Sequence, residues 1–403
     1  MEQKLNLSMI RNILTLRYYP SKEIHSFNIS EKDFQNTDDK LNLEKIEHII
    51  SKDLQNKISQ KNISIGLSGG VDSVLVLALL RKVFPDIKIN AISIKFSNSV
   101  DETDSASYIA SQFNVEHHIV TIDNYLEELP KALSIMKMPF WDIHWYYLCK
   151  ASKNYSNVLV SGDGGDELFG GYTFRYKKFL SKVNHHMNYE DKTKLYLECH
   201  ERDWVLDQEK IFTKLTNFSW NEIYDYVSPN FQNQLDPIDQ VFLADINGKL
   251  QYNWNIVNNC FNDFFKIKSV TPLLSNELIQ YSLHLKNQLK YDSVKDVGKI
   301  PLREILAKYV NLEKITQSKQ GFSVNTVNFW NNYGKEFCKY YLSNARIVSD
   351  GLINQDWISK HLNLINNSQD VRYVNKFLGL LAVEIWYRIF ITKEMSSEDK
   401  LQL

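Results

Sequence analysis

Two stretches of the chain hold residue types that chemistry could use at close spacing. The first is Leu67-Ser68-Gly69-Gly70-Val71-Asp72-Ser73. It follows a short apolar run with Ile63, Ile65 and Leu67 in alternation, and it precedes an apolar stretch from Val71 to Val83 at helical spacing. Strand, glycine-rich loop and helix in that order direct backbone N–H groups and the positive end of a helix dipole toward one point, where an anion can sit. Gly69 and Gly70 let the backbone approach phosphate, while Ser68 and Ser73 add hydroxyl donors. Asp72 is the discordant member. A carboxylate repels phosphate unless a cation lies between them, so its presence implies Mg²⁺. The second stretch, Ser161-Gly162-Asp163-Gly164-Gly165-Asp166-Glu167-Leu168-Phe169-Gly170-Gly171-Tyr172, leaves another apolar run, Val158 to Val160. Five glycines within ten residues, interleaved with three carboxylates, make a tight loop whose charges repel unless a cation or a donor-rich ligand shares them. His117-His118 and His185-His186 invite a metal reading, but neighbours on a strand face opposite sides and no second cluster has ligand spacing, so they read as structural.

The elements that would position these loops alternate. Leu43 to Ile58 reads as a helix, Ile63 to Leu67 as a strand, Val71 to Val83 as a helix closed by Pro85, and Ile87 to Phe96 as a strand. Asp101 to Phe113 is a helix, Val115 to Ile122 a strand, Asn124 to Met138 and Trp141 to Asn154 helices, and Val158 to Val160 a strand. Such alternation predicts an α/β fold, a parallel sheet flanked by helices, with ligands bound beyond the carboxyl ends of the strands. Residues 1 to about 40 show little periodicity. Residues 176 to 270 are mostly helical in period, with no clear strand, and the tail from 326 to 403 reads as helices. The expected division is a short N-terminal segment (1–55), an α/β domain (56–180) and a mostly helical C-terminal part (181–403).

Composition limits the function classes. The formal net charge of the 403 residues is -1, which demands neither nucleic acid nor an anionic membrane as partner. The cysteines, Cys149, Cys199, Cys260 and Cys338, form no CxxC pair and suggest a reducing compartment. Met1 to Asn12 lacks the apolar core of a secretory signal, and Phe377 to Ile391 is too short to span a bilayer, so the expected location is cytoplasmic.

The P-loop signature G-x-x-x-x-G-K-[ST] does not occur. Ser68-Gly-Gly-Val-Asp-Ser73 instead resembles the pyrophosphate loop of adenine-nucleotide hydrolase-like enzymes that split ATP between its α- and β-phosphates. Taken with Ser161 to Tyr172, it resembles the synthetase domain of asparagine synthetase. Lys299-Ile-Pro-Leu302-Arg303-Glu304 is similar to that family's Lys-x-x-Leu-Arg-Glu, and Lys319-Gln-Gly321-Phe322 to its Lys-x-Gly-Phe. Glu384-Ile-Trp386-Tyr-Arg388 fits the family's last helix, so the resemblance covers residues 60 to 390. It implies a nucleotide site of Leu67, Ser68, Gly69, Gly70, Asp72, Ser73 and Gly162, with Asp72 and Asp166 binding Mg²⁺. Asp163, where the family usually has Glu, would help deprotonate incoming ammonia. Lys319 would offset charge as a carboxylate attacks the α-phosphate, with Lys299 and Arg303 as helpers. ATP is then a substrate, and an acyl-adenylate, AMP and pyrophosphate are the expected intermediates and products.

Two departures shape the expectation. Glutamine-dependent members begin with a glutaminase domain whose nucleophile is an N-terminal cysteine; here Glu2 stands second and fewer than seventy residues precede the loop. The expectation is a chain without that domain, taking nitrogen from free ammonia, a separate amidase or an amine on another substrate. The second departure is Asn259 to Ser275, where Lys268 and Val270 replace the family's Glu and Arg, and Ser275 its Asp. The ATP residues are untouched, but the acceptor pocket is altered. Aspartate with ammonia is the leading pair. Another carboxylate (a peptide, sugar acid or secondary metabolite) is the alternative within the same chemistry, and a non-catalytic ATP-binding regulatory homologue is the alternative outside it.

Overall fold

In a computed structural model, residues 4–20, 29–34, 40–96, 103–200, 204–315, 326–368 and 370–403 are described. The sheet has five parallel strands: β1 (Asn62–Gly66), β2 (Lys88–Phe96), β3 (Glu116–Ile122), β4 (Val158–Val160) and β5 (Lys268–Val270). Their order across the sheet is β3-β2-β1-β4-β5. Parallel pairing requires a crossover at each step, and the helices Val71–Val83, Thr103–Gln112 and His144–Ser152 lie within those crossovers. Side chains alternate between two cores. Ile63, Ile65, Ile89, Ala91, Val158, Val160 and Val270 enter one; Ile92, Ile94, Phe96 and Leu159 enter the other. That two-sided burial explains why the central strands are apolar on both faces.

Several boundaries differ from the sequence reading. The helix expected from Asn124 starts only at Leu129, with Pro130 in its first turn, where a missing N–H costs nothing. The one expected from Trp141 starts at His144. Leu7–Leu16, within the stretch read as having little periodicity, forms a helix that buries Met9, Ile10, Ile13 and Leu14; the Asn6 side chain caps it by accepting from the Met9 amide at 3.0 Å. A further correction is β5, a strand within the stretch read as helical. It completes the sheet through Val158↔Lys268 and Val160↔Val270. A short antiparallel hairpin, β6 (Tyr291–Asp292) with β7 (Val297–Gly298), leads into the helix Ile300–Leu306.

The helix Leu43–Lys57 sinks Ile46, Ile49, Ile50 and Leu54 into the same core as Val71–Val83. The last helix, Val371–Phe390, has 20 residues and is buried along most of its length. Its Glu384, 0% exposed, accepts from the Arg346 and Ile347 amides at 2.9 and 3.1 Å and so caps the short helix Arg346–Ser349. Among the described residues no helix is long and apolar enough to cross a membrane. All four cysteines are unpaired thiols.

Candidate active site

β1 and β4 are neighbours, with Ser64 opposite Leu159 and Ile65 opposite Val160. From β1 the chain moves outward to β2 and β3; from β4 it moves the other way, toward β5. The crevice beyond their carboxyl ends is therefore the topological switch point of the sheet, the place where open α/β sheets bind ligands. Both glycine-rich loops open into it.

The first loop is tied to the sheet and to itself. The Leu67 amide donates to the Ile92 carbonyl at 2.9 Å, Ser93 Oγ donates to the Leu67 carbonyl at 2.6 Å, and the Leu67 side chain is buried in the core. Ser73 Oγ donates to the Gly70 carbonyl at 3.2 Å and lies 3.2 Å from Ser68 Oγ. Gly70 caps the helix Val71–Val83 with no side-chain hydrogen bond, so its first-turn amides face the crevice with Asp72 among them.

The second loop packs directly on the first. A Cβ at Gly162 would lie 2.7 Å from the Asp72 carbonyl carbon and 2.7 Å from the Ser73 nitrogen, so only glycine permits this approach. A Cβ at Gly171 would overlap Asp166 Oδ1 and the Lys299 stem. Behind the loop, Tyr172 Oη donates to Glu167 at 2.5 Å, and the buried Arg175 lies 3.8 Å over the Tyr172 ring while pairing with Asp245 at 3.2 Å.

Asp72 and Asp166 meet through Lys299, whose Nζ is 2.5 Å from Asp72 Oδ2 and 2.8 Å from Asp166 Oδ1. Burial opposes the charge on Lys299, but Asp166 and Asp72 outweigh it and hold the ammonium above the usual lysine range. Lys299 itself sits at φ 58°, its amide donating to the Phe169 carbonyl at 2.7 Å. Arg303 steadies that turn by donating from Nε to the Gly298 carbonyl at 3.0 Å. Two carboxylates reaching one point suit Mg²⁺, which is bound through one or two carboxylates together with substrate phosphates rather than by an all-protein cage. Among the described residues there is no group of three or more His, Cys, Asp or Glu side chains fit to hold a metal alone.

Asp163 lies at the far side of the same loop, partly accessible. Its carboxyl is pushed up to about 6, first by the protein packed around it, with Glu167 and Asp72 adding to the rise; the hydrogen bond from Ser161 and the charge of His144 pull the other way. Ser161 Oγ and Asn258 Nδ2 donate to its Oδ2 at 3.0 and 3.3 Å. His144 is oriented by Asp142, Nδ1 to Oδ1 at 2.9 Å, and its ring meets Trp254 edge-on at 5.1 Å. Trp254 lies on a π-helical turn, Ile246–Asn255, with Lys249 5.6 Å from its ring. Sequence reasoning missed Asp142, His144, Lys249, Trp254 and Asn258. Each is a single polar or aromatic residue in a helix or helix entry, and no local pattern separates it from a surface position.

Lys319, with Gly321 and Phe322, lies outside the described residues. Of the departing positions, Lys268 pairs at the amino end of β4 and donates to the Lys57 carbonyl at 2.5 Å, away from the crevice. Val270 is buried and accepts the Ser161 amide at 3.0 Å, while Ser275 caps the helix Asn276–His284 through the Leu278 amide at 3.4 Å. His117 is hydrogen-bonded to Ser93 and Ser107, and His118 to Asn90 with its ring stacked on Tyr155.

The asparagine synthase family model matches residues 53–388. A glutamine-hydrolysing asparagine synthetase of Bacillus subtilis is 22% identical over 409 residues, covering 93% of this chain and 63% of the relative. The chain thus spans less than two thirds of that relative's length. An NH₃-dependent NAD⁺ synthetase of Carboxydothermus hydrogenoformans is 29% identical over 153 residues, 31% of this chain and 62% of the relative. Among solved structures, an NH₃-dependent NAD synthetase from Campylobacter jejuni matches at TM-score 0.28 and 20% identity, over 54% of this chain and 97% of that one.

Proposed function

The chain belongs to the asparagine synthase family, and from that premise we propose that it is an ATP-dependent amide ligase. It activates a carboxylate as an acyl-adenylate, releases pyrophosphate, and passes the acyl group to a nitrogen nucleophile with loss of AMP. Aspartate and ammonia are the leading substrates. The observation that carries this reading is the convergence of Asp72 and Asp166, one from each glycine-rich loop, on a single point at the switch of the sheet.

In this reading the backbone of Leu67 to Gly70, the Ser68 and Ser73 hydroxyls and the first-turn amides of Val71–Val83 hold the β- and γ-phosphates. Gly162 lies near the α-phosphate because its backbone already abuts Asp72 and Ser73. Asp72 and Asp166 would hold Mg²⁺, which when bound offsets the phosphate charge. Lys299, Arg303 and Lys319 add positive charge as the acceptor carboxylate attacks phosphorus. Asp163, with a carboxyl near 6, is ionised at neutral pH yet basic enough to take a proton from the incoming ammonium or the tetrahedral adduct.

The test is product analysis of purified protein with ATP, Mg²⁺, aspartate and ammonium. AMP, pyrophosphate and asparagine in equal amounts are the expected result. AMP and pyrophosphate without asparagine would move the acceptor to another carboxylate. ADP, or ATP binding without turnover on any carboxylate, would overturn the reading.

A further inference from the structure

We infer that Lys299 stands in for the divalent cation in the nucleotide-free protein, so that Mg²⁺ is admitted only together with ATP. The inference deepens the proposed function and rests on its reading of Asp72 and Asp166 as metal carboxylates.

Lys299 Nζ lies 2.5 Å from Asp72 Oδ2 and 2.8 Å from Asp166 Oδ1. Mg²⁺ takes its oxygen ligands at about 2.0–2.1 Å, so the ammonium occupies the region that an ion bridging these two oxygens needs. Two cations repel there, and more strongly because the lysine is only 9% exposed. A metal ion entering alone must therefore drive the ammonium from both carboxylates and offer it nothing in exchange. An ion arriving with ATP brings phosphate oxygens to which the displaced ammonium can turn. Metal and nucleotide then favour each other's binding, and by linkage the favour is mutual.

The surroundings are shaped for such a swing. The backbone of Lys299 is pinned by its amide to Phe169, and the turn before it by Arg303 to Gly298. The following helix, Ile300–Leu306, packs on Val71–Val83. Lys299 holds a left-handed φ of 58°, unusual for a residue with a side chain. Gly171 leaves open the space through which its stem passes. The attachment point is fixed, while the four-carbon arm is free to redirect its charge within reach of both loops.

Mn²⁺, followed by electron paramagnetic resonance, serves as the probe. It is titrated into the full chain with and without a non-hydrolysable ATP analogue, for wild type and Lys299→Met. Without nucleotide, the variant is expected to bind Mn²⁺ at least tenfold more tightly than wild type. The analogue is expected to tighten Mn²⁺ binding far more in wild type than in the variant. Adding Asp166→Asn to Lys299→Met is expected to erase the gained site. Equal nucleotide-free affinities in the two proteins, or a gained site that survives Asp166→Asn, would overturn the inference. Should Lys299→Met fail to fold by circular dichroism, wild type alone decides: Mn²⁺ affinity indifferent to the analogue contradicts it. If neither protein binds Mn²⁺ even with the analogue, the reading of Asp72 and Asp166 as metal ligands fails, and the inference with it.

Discussion

At Asp163 the packed protein and two neighbouring carboxylates raise the proton affinity, while Ser161 and His144 lower it, leaving a carboxyl of about 6. In the proposed role as base of the amide-forming step it must be ionised. The rate of amide formation is therefore expected to fall as pH drops through 6, and Asp163→Asn to lower it by about 10²–10⁴-fold with ATP binding retained; pH profiles of wild type and variant check both. The same shift has a stability consequence of opposite sense. A carboxyl raised above its unfolded value of about 3.9 costs the folded state energy at pH above 6, and the cost disappears as pH falls toward 4. Asp163→Asn is thus expected to raise the melting temperature at pH 7.5, the gain vanishing near pH 4. The opposite trend would mean that the carboxylate is stabilised where it stands. The candidate site was legible in the sequence as a grouping of residues, because Asp72, Asp163 and Asp166 lie inside glycine-rich stretches that a packed core does not require. His144 and Asn258 were not legible. Asn258 reaches Asp163 from 95 residues further along the chain, and it does so because its helix, Ile256–Phe265, packs on the helix that begins at His144.

Among the elements, the two loops act as one piece because Gly162 and Gly165 let the second loop lie against Asp72 and Ser73, while Gly171 leaves room for Asp166 and Lys299. Gly171→Ala forces a methyl against Asp166 and Lys299. Nucleotide affinity is expected to fall at least tenfold while the fold survives, as calorimetric ATP titration and circular dichroism would show. β5 teaches a different lesson. Three residues, Lys268–Val270, between a helix and Thr271-Pro272, are too few to display a period of two, and only pairing with β4 makes them a strand. Once paired, the Lys268 side chain lies at the amino end of the sheet, so Lys268→Ala is expected to leave the acceptor KM unchanged within twofold. Ser275, a helix cap, behaves differently: Ser275→Ala is expected to cost about 0.5–2 kcal/mol in urea unfolding with kcat retained.

On the scale of the whole molecule, the sheet places the crevice and the helical remainder brings Asn258 and Trp254 to its side. The strand–helix alternation announced the first four strands from sequence, since the central ones, β1, β2 and β4, are apolar enough to be buried on both faces. The helix Leu7–Leu16 was not read from sequence, although Met9, Ile10, Ile13 and Leu14 recur at helical spacing; it is secured by Asn6 and by Arg11, which pairs with Glu222 at 2.6 Å. Glu384 joins the last helix to Arg346–Ser349 and pairs with Arg388 of its own helix, 2.5 Å away. Glu384→Ala strands two backbone donors, and a loss of about 2–4 kcal/mol is expected in urea unfolding, far from the crevice and without a change in acceptor KM. The central claim, that an acceptor carboxylate attacks the α-phosphate at the junction of the two loops, is tested most directly by isotope transfer. With the acceptor carboxylate labelled in ¹⁸O, turnover is predicted to deliver one labelled oxygen to AMP. Label in inorganic phosphate, or AMP formed without label, would contradict it.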